Sequence, residues 1–163
     1  MNTVWIVDGT YLSSVLQGHD SLEFITRMQR ALTAEGGPIK RAIYFDVSTD
    51  VDRDLSGPFF AGLRSGTLGF PCDVRFIPLD TTDDHARQTA QRLLAVETAV
   101  ELVQIASEDD FDRLVLTAAD AALESAVSVF RVKHSKEVWL SISRTARTPV
   151  LESFADHVVW LEH

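Results

Sequence analysis

A single cysteine, Cys72, cannot close an internal disulfide, so the chain has none of the scaffold on which small secreted domains depend. Long apolar runs are missing as well: no stretch approaches membrane-spanning length or has the form of a signal peptide. Both absences lead us to expect a cytoplasmic protein with no membrane partner. Positive charge is scarce, with 15 Lys and Arg against 24 Asp and Glu for a net charge of −9. Neutralising phosphates requires cations, so bulk electrostatic attraction to nucleic acid is excluded, although a local basic stripe remains open. Glycine and proline are few, at 8 and 5, and no linker or low-complexity tract interrupts the chain. Against these deficits, 45% of the 163 residues are hydrophobic. That is enough apolar surface for one sizeable core, and we expect a single domain over residues 1–160. The terminal Leu161-Glu162-His163 reads as the remnant of an expression tag as readily as native sequence.

Apolar patterning alternates between short uniform runs and longer periodic ones. Val4–Val7 is a strand closed by Asp8-Gly9, and Leu22, Ile25, Met28 and Leu32 recur at helical spacing before Gly36-Gly37-Pro38 stops the helix. Arg41–Asp46 and Val74–Ile77 are further strands, separated by an irregular stretch over 47–71. From Asp84 to Glu108 no glycine or proline intervenes. Leu93, Val96, Val100 and Val103 mark one face of this long helix, Ala95, Ala99, Leu102 and Ala106 widen it, and Glu97, Glu101, Gln104 and Glu108 form the outer stripe. Strand 113–116, helix 121–130, strand 137–142, short helix 149–154 and strand 158–160 complete the pattern. Alternating strands and helices, with nearly uniformly apolar strands, predict an α/β fold. We expect three layers, α/β/α, around a mainly parallel sheet of five to six strands.

In an open parallel sheet the ligand crevice lies beyond the carboxyl ends of the strands, where the strand order reverses. Asp8, Asp46 and Asp120 each stand at or shortly after such an end. Carboxylates gathered at one rim repel unless a proton or a divalent cation relieves them, and Mg²⁺ or Mn²⁺ prefers such oxygen ligands. Metal-assisted phosphodiester chemistry is the functional reading. Turn formation or helix capping is the structural alternative for each residue, and spacing does not decide between them.

Certain segments go further. Val4-Trp5-Ile6-Val7-Asp8-Gly9-Thr10-Tyr11-Leu12 resembles the opening of an NYN domain, a group of PIN-like nucleases whose first strand ends in Asp-Gly-x-Asn-Leu. The long helix through Ala95–Glu101, the strand Arg113–Leu116 and Asp120 resemble that family's central helix and the strand leading to its Ser-Gly-Asp-Ser-Asp-Phe motif. Lys136–Leu140 and Leu151–Asp156 are similar to its closing strand and Leu-x-x-x-Ala-Asp ending. The resemblance spans nearly the whole chain and is weakest over 47–71. It implies a PIN-like fold, with Asp8 and Asp120 as metal ligands and Thr10 and Tyr11 at the crevice mouth against an RNA substrate. Departures are equally specific. Tyr11 stands in place of Asn, Ala95 in place of the helix aspartate, and Ala118-Ala119-Asp120-Ala121-Ala122 in place of Ser-Gly-Asp-Ser-Asp. Glu97 and Glu101 do not substitute for the helix aspartate, lying roughly 200° and 240° around the helix from Ala95.

With two of the four implied carboxylates missing, any Mg²⁺ or Mn²⁺ is expected to be weakly held, or absent if the domain is inactive. The leading expectation is a domain related to ribonucleases, with weak or no catalysis and a role in RNA binding or RNA-linked regulation. One alternative is an active metal-dependent ribonuclease using Asp8, Asp120 and Asp46. Another is a protein-interaction module with an acidic surface. Arg131, Lys133 and Lys136, with Arg144 and Arg147 beyond, are a local basic concentration that either tracks an RNA backbone or complements a helix end. Tyr11 either stacks on a base or plugs the crevice. Cys72 reads as structural, Trp139 and Trp160 as core, and the scattered histidines lack metal-ligand spacing.

Overall fold

The computed structural model describes residues 1–162. Six strands within it form one all-parallel sheet: β1 (Thr3–Asp8), β2 (Ile39–Ser48), β3 (Cys72–Pro78), β4 (Arg113–Thr117), β5 (Glu137–Ile142) and β6 (His157–Trp160). Their order is β3-β2-β1-β4-β5-β6, so the chain winds outward one way from β1 and then the other way from β4. The expected three-layer α/β/α architecture is therefore the observed one, and the reversal falls between β1 and β4. Every residue of β1 is buried. Val4 and Ile6 face one core with α5 (Asp84–Ser107) and α6 (Glu124–Ser128), while Trp5 and Val7 face the other with α2 (Leu22–Gly36) and α4 (Pro58–Arg64). Two covered faces explain why the strands read as apolar runs without alternation.

Local chemistry fixes the boundaries of the helices. Ser21 accepts from the Phe24 amide at 3.1 Å to start α2, and Gly37 ends it with φ +83°. A Cβ on Gly36 would meet the Arg113 guanidinium and the Trp139 ring at 2.8–2.9 Å, so helix, strand and cation close against each other there. Asp83 caps α5 by accepting from Ala86 N at 2.8 Å.

Several expectations need correction. The stretch 47–71 is not irregular: it holds α3 (Val51–Ser56) and α4, whose Phe59 and Phe60 pack edge-on against Tyr44. A short α1 (Gly9–Val15) follows β1 directly. The helix expected over 121–130 is a 3-10 turn (Ala121–Leu123), then α6, then a π turn (Val129–Lys133). The short helix at Pro149 is α7 (Pro149–Glu152).

The largest correction concerns the face of α5. Its buried residues are Ala90, Leu94, Ala95, Thr98, Leu102, Ile105 and Ala106, whereas Leu93, Val96, Val100 and Val103 are exposed. The small residues Ala90, Ala95 and Ala106 occur only in the buried set, and a face containing them can approach the sheet more closely than one of Leu and Val. Glu101 also leaves the expected outer stripe and pairs with Arg75 on β3 at 2.5 Å.

Residues 161 and 162 behave as part of the fold. The Leu161 amide donates to Ile142 O at 2.9 Å, extending the β5–β6 ladder, and the Glu162 carboxylate accepts from Ser143 Oγ and Arg144 N. His163 lies outside the described residues. Cys72 is buried at the start of β3, and burial pushes its thiol up to about 12, in keeping with a structural role. No helix of the described residues is long and apolar enough to cross a membrane.

Candidate functional site

Strand register brings the three aspartates to one rim. Asp8 ends β1 opposite Phe45, so Asp46 lies one residue further along neighbouring β2; Val7 is opposite Thr117 of β4, with Asp120 three residues beyond. Their surroundings differ. Asp8 caps α1, and Oδ1 accepts three bonds, from Thr10 N at 2.9 Å, Thr10 Oγ1 at 2.6 Å and Tyr11 N at 3.2 Å. Burial nevertheless holds its pKa above the usual carboxylate range, outweighing those bonds, and the charge of Asp120 adds to the rise. Asp46 accepts from its neighbour Val47 N at 2.8 Å. Burial pushes its carboxyl up to about 7, and the charges of Asp8 and Asp54 reinforce the rise against that one bond. Asp120 is exposed and caps the 3-10 turn, accepting from Ala122 N at 2.9 Å. Capping and a rim position therefore coincide in Asp8 and Asp120.

Two adjoining hollows open on this rim. One, of about 280 Å³, is bounded by Asp8, Thr10, Tyr11, Ser14, Gln91 and Asp120. The other, of about 350 Å³, includes Asp46, Ser48, Asp54 and Arg87 and shares Thr10 and Gln91 with the first. Thr10 and Gln91 form the partition between them. The Thr10 hydroxyl has one proton, which its 2.6 Å contact assigns to Asp8. The 3.2 Å approach to the Gln91 side chain is then satisfied with the amide turned so that its NH₂ donates to Thr10 Oγ1. Gln91 carried no motif in the sequence. Its signal was spacing: it lies four residues before Ala95 on one face of α5.

Ala95 and Ala122 border Asp120 in a third hollow, together with Gln91, Arg92 and Val96. Methyl groups thus stand beside Asp120 where the resemblance would put carboxylates. No group of three or more His, Cys, Asp or Glu among the described residues is arranged to hold a metal ion. The donor set does not fit a tightly bound divalent cation, and we derive no step through one.

Tyr11 is fixed in place. Its hydroxyl donates to Ala146 O at 3.0 Å and accepts from Ser143 N at 2.8 Å, bolting α1 to the loop after β5. Burial raises its pKa despite the Ser143 bond. The ring is a wall of the crevice, and of the two uses left open by the sequence, filling space is the one this geometry serves. Arg131 and Lys133 are not brought to the rim. They precede β5 and so lie at the amino ends of the strands, where Arg131 pairs with Asp156 at 2.9 Å. Arg144 and Arg147 follow β5 and are at the carboxyl end, with their guanidinium groups over the Trp160 ring at 4.4 and 5.3 Å.

No protein-family profile and no curated protein sequence matches the chain. Among solved structures, it is similar to a Vibrio parahaemolyticus protein of unknown function, at 18% identity and a TM-score of 0.65 over 98% of this chain and 93% of that one. It is also similar to the apo form of the lipopolysaccharide outer core galactosyltransferase WaaB, at 10% identity and a TM-score of 0.46 over 97% of this chain and 38% of that one. The first likeness supports the fold, and the second is too distant to bear on function.

Proposed function

We propose that the chain is a PIN-like domain of the NYN kind that binds RNA at the carboxyl-end crevice and has weak or no hydrolytic activity. The observation that carries this reading is the hollow shared by Asp8 and Asp120 at the point of strand reversal, beside Ala95 and Ala122. Phosphodiester hydrolysis needs cations aimed at the developing charge, and two carboxylates, both already capping turns, offer a divalent ion little purchase. The second N–H of the Gln91 amide is free to donate to a sugar or phosphate oxygen, the Thr10 and Ser14 hydroxyls, whose protons go to Asp8 and to Tyr11 O, can accept from a ribose hydroxyl, and Arg87 supplies charge in the adjoining hollow. In this reading the protein works in the cytoplasm.

Incubating a mixed single-stranded RNA pool with wild type, Asp8→Ala and Asp120→Ala, in Mn²⁺, Mg²⁺ or EDTA, tests the proposal. Binding without cleavage is expected, weakened at least threefold by Arg87→Ala. Metal-dependent cleavage abolished in both aspartate variants would establish the second reading, a ribonuclease using Asp8, Asp120 and Asp46. That reading is favoured by one feature, a carboxyl at Asp46 that titrates near neutrality and can hold or release a proton. Binding of basic proteins with no RNA bound would support an interaction module instead.

A further inference from the structure

Four side chains on α5 stand apart from the rest of the surface: Leu93, Val96, Val100 and Val103 are 50%, 57%, 49% and 42% exposed. Isolated exposed apolar residues are ordinary, but these form one stripe at 3-4-3 spacing, the seam pattern of paired helices. Beside the stripe, Ala99, Val103, Ala122, Ala126 and Val129 line a shallow apolar groove of about 370 Å³ between α5 and α6.

We propose that this face is the interface for a second copy of the same chain, with the two α5 helices packed antiparallel. Self-complementarity favours that occupant. A two-fold interface presents the same patch from both sides, so the residues must match under reversal. The stripe does so about Thr98: Leu93 and Val103 lie equally far before and after it, as do Val96 and Val100. Antiparallel pairing sets Leu93 against the second copy's Val103 and Val96 against its Val100. The buried residues Leu94, Ala95, Thr98, Leu102 and Ile105 remain in each copy's own core.

The area restricts the dimer to a weak, transient one. The four side chains expose roughly 350 Å² per copy, the size of the largest apolar patch on an ordinary monomer, which is often functional. Both copies together reach roughly 700 Å² before the α6 groove is counted, against about 1,200 Å² at the lower end of stable complexes. Ala99, Ala122 and Val129, which line the groove, supply apolar surface toward the difference. Exposed Glu97 flanks the seam, and the two copies of it fall on the same side of the two-fold, which limits affinity. The net charge of −9 disfavours an anionic lipid surface as the occupant, and between two copies it acts with Glu97 to keep the dimer weak. Val96 borders the hollow at Ala95 and Asp120, so a second copy would also narrow one approach to the crevice.

Sedimentation of the full chain from micromolar to millimolar concentration tests the interface independently of RNA. We expect reversible dimerisation in wild type, and its loss in a Val96→Glu, Val100→Glu variant whose circular dichroism and melting temperature, taken at a concentration where wild type is monomeric, stay at wild-type values. For register, chains carrying Val96→Cys are mixed with chains carrying Val100→Cys under mild oxidation. Cross-linked dimer is expected to form at least fivefold faster in the mixture than in either chain alone, with unsubstituted chain correcting for buried Cys72. Monomer at every concentration, dimer surviving both glutamates, or equal cross-linking in mixed and unmixed samples would each overturn the proposal.

Discussion

At the residue scale, Asp46 has the most testable chemistry. Its folded pKa of about 7 lies above the unfolded carboxylate value of about 3.9, so the fold favours the neutral acid. The stabilisation is fully present below the unfolded value and is lost as pH rises through 7. Wild type should therefore be less stable at pH 8 than at pH 5 by on the order of 2–3 kcal/mol from this group, with buried Asp8 contributing in the same direction. Asp46→Asn should flatten the difference in urea titrations at the two pH values; an unchanged pH dependence would show that Asp46 ionises freely. Gly9 belongs to the same corner. A Cβ there would come within 2.5 Å of Asp46 Oδ2 and 2.7 Å of the buried Tyr44 ring. Gly9→Ala should cost about 1–3 kcal/mol, measured by thermal or urea unfolding, because the Tyr44 ring has no room to withdraw.

At the scale of elements, α5 shows what a sequence can and cannot reveal. Both of its stripes are apolar at helical spacing, so periodicity located the helix but did not select its buried face. Steric fit selected it, and steric fit is invisible until the sheet is placed beneath the helix. Leu102→Ala should cost about 2–5 kcal/mol in denaturant unfolding, while Val100→Ala in the monomer should stay within about 0.5 kcal/mol. Comparable losses at both positions would contradict the observed face. The strands were legible because burial on both sides makes each a continuous apolar run, and the rim aspartates were legible because they end those runs. Gln91 was legible only through its spacing, four residues before Ala95, since a neutral amide on a long helix forms no pattern of its own. Chain direction, by contrast, would have located the basic residues: those preceding a parallel strand lie at its amino end and those following it at its carboxyl end. Arg131 and Lys133 belong to the first group, and Arg144 and Arg147 to the second.

At the scale of the whole molecule, charge limits how RNA is bound. A chain of net charge −9 offers phosphates few cations; at the carboxyl end Arg87 lines the Asp46 hollow and Arg144 and Arg147 follow β5, and of these three Arg147 is already paired with Glu152 at 2.6 Å. Three neutralised phosphates correspond to a slope of about −2 in log affinity against log salt for single-stranded RNA, and two to about −1.4. Titrations of a short single-stranded RNA between 50 and 200 mM salt (about a fourfold range, over which the loss should be roughly 7- to 18-fold) should give a slope in that interval. Arg144→Ala should make the slope shallower. Charge reversal of Arg131 and Lys133 at the opposite end should leave the slope unchanged and weaken binding by less than twofold, because a Debye length of about 8–10 Å screens their field from the crevice. If reversal there abolishes binding while Arg144→Ala does nothing, RNA contacts the amino ends of the strands, and the aspartate rim has a separate role.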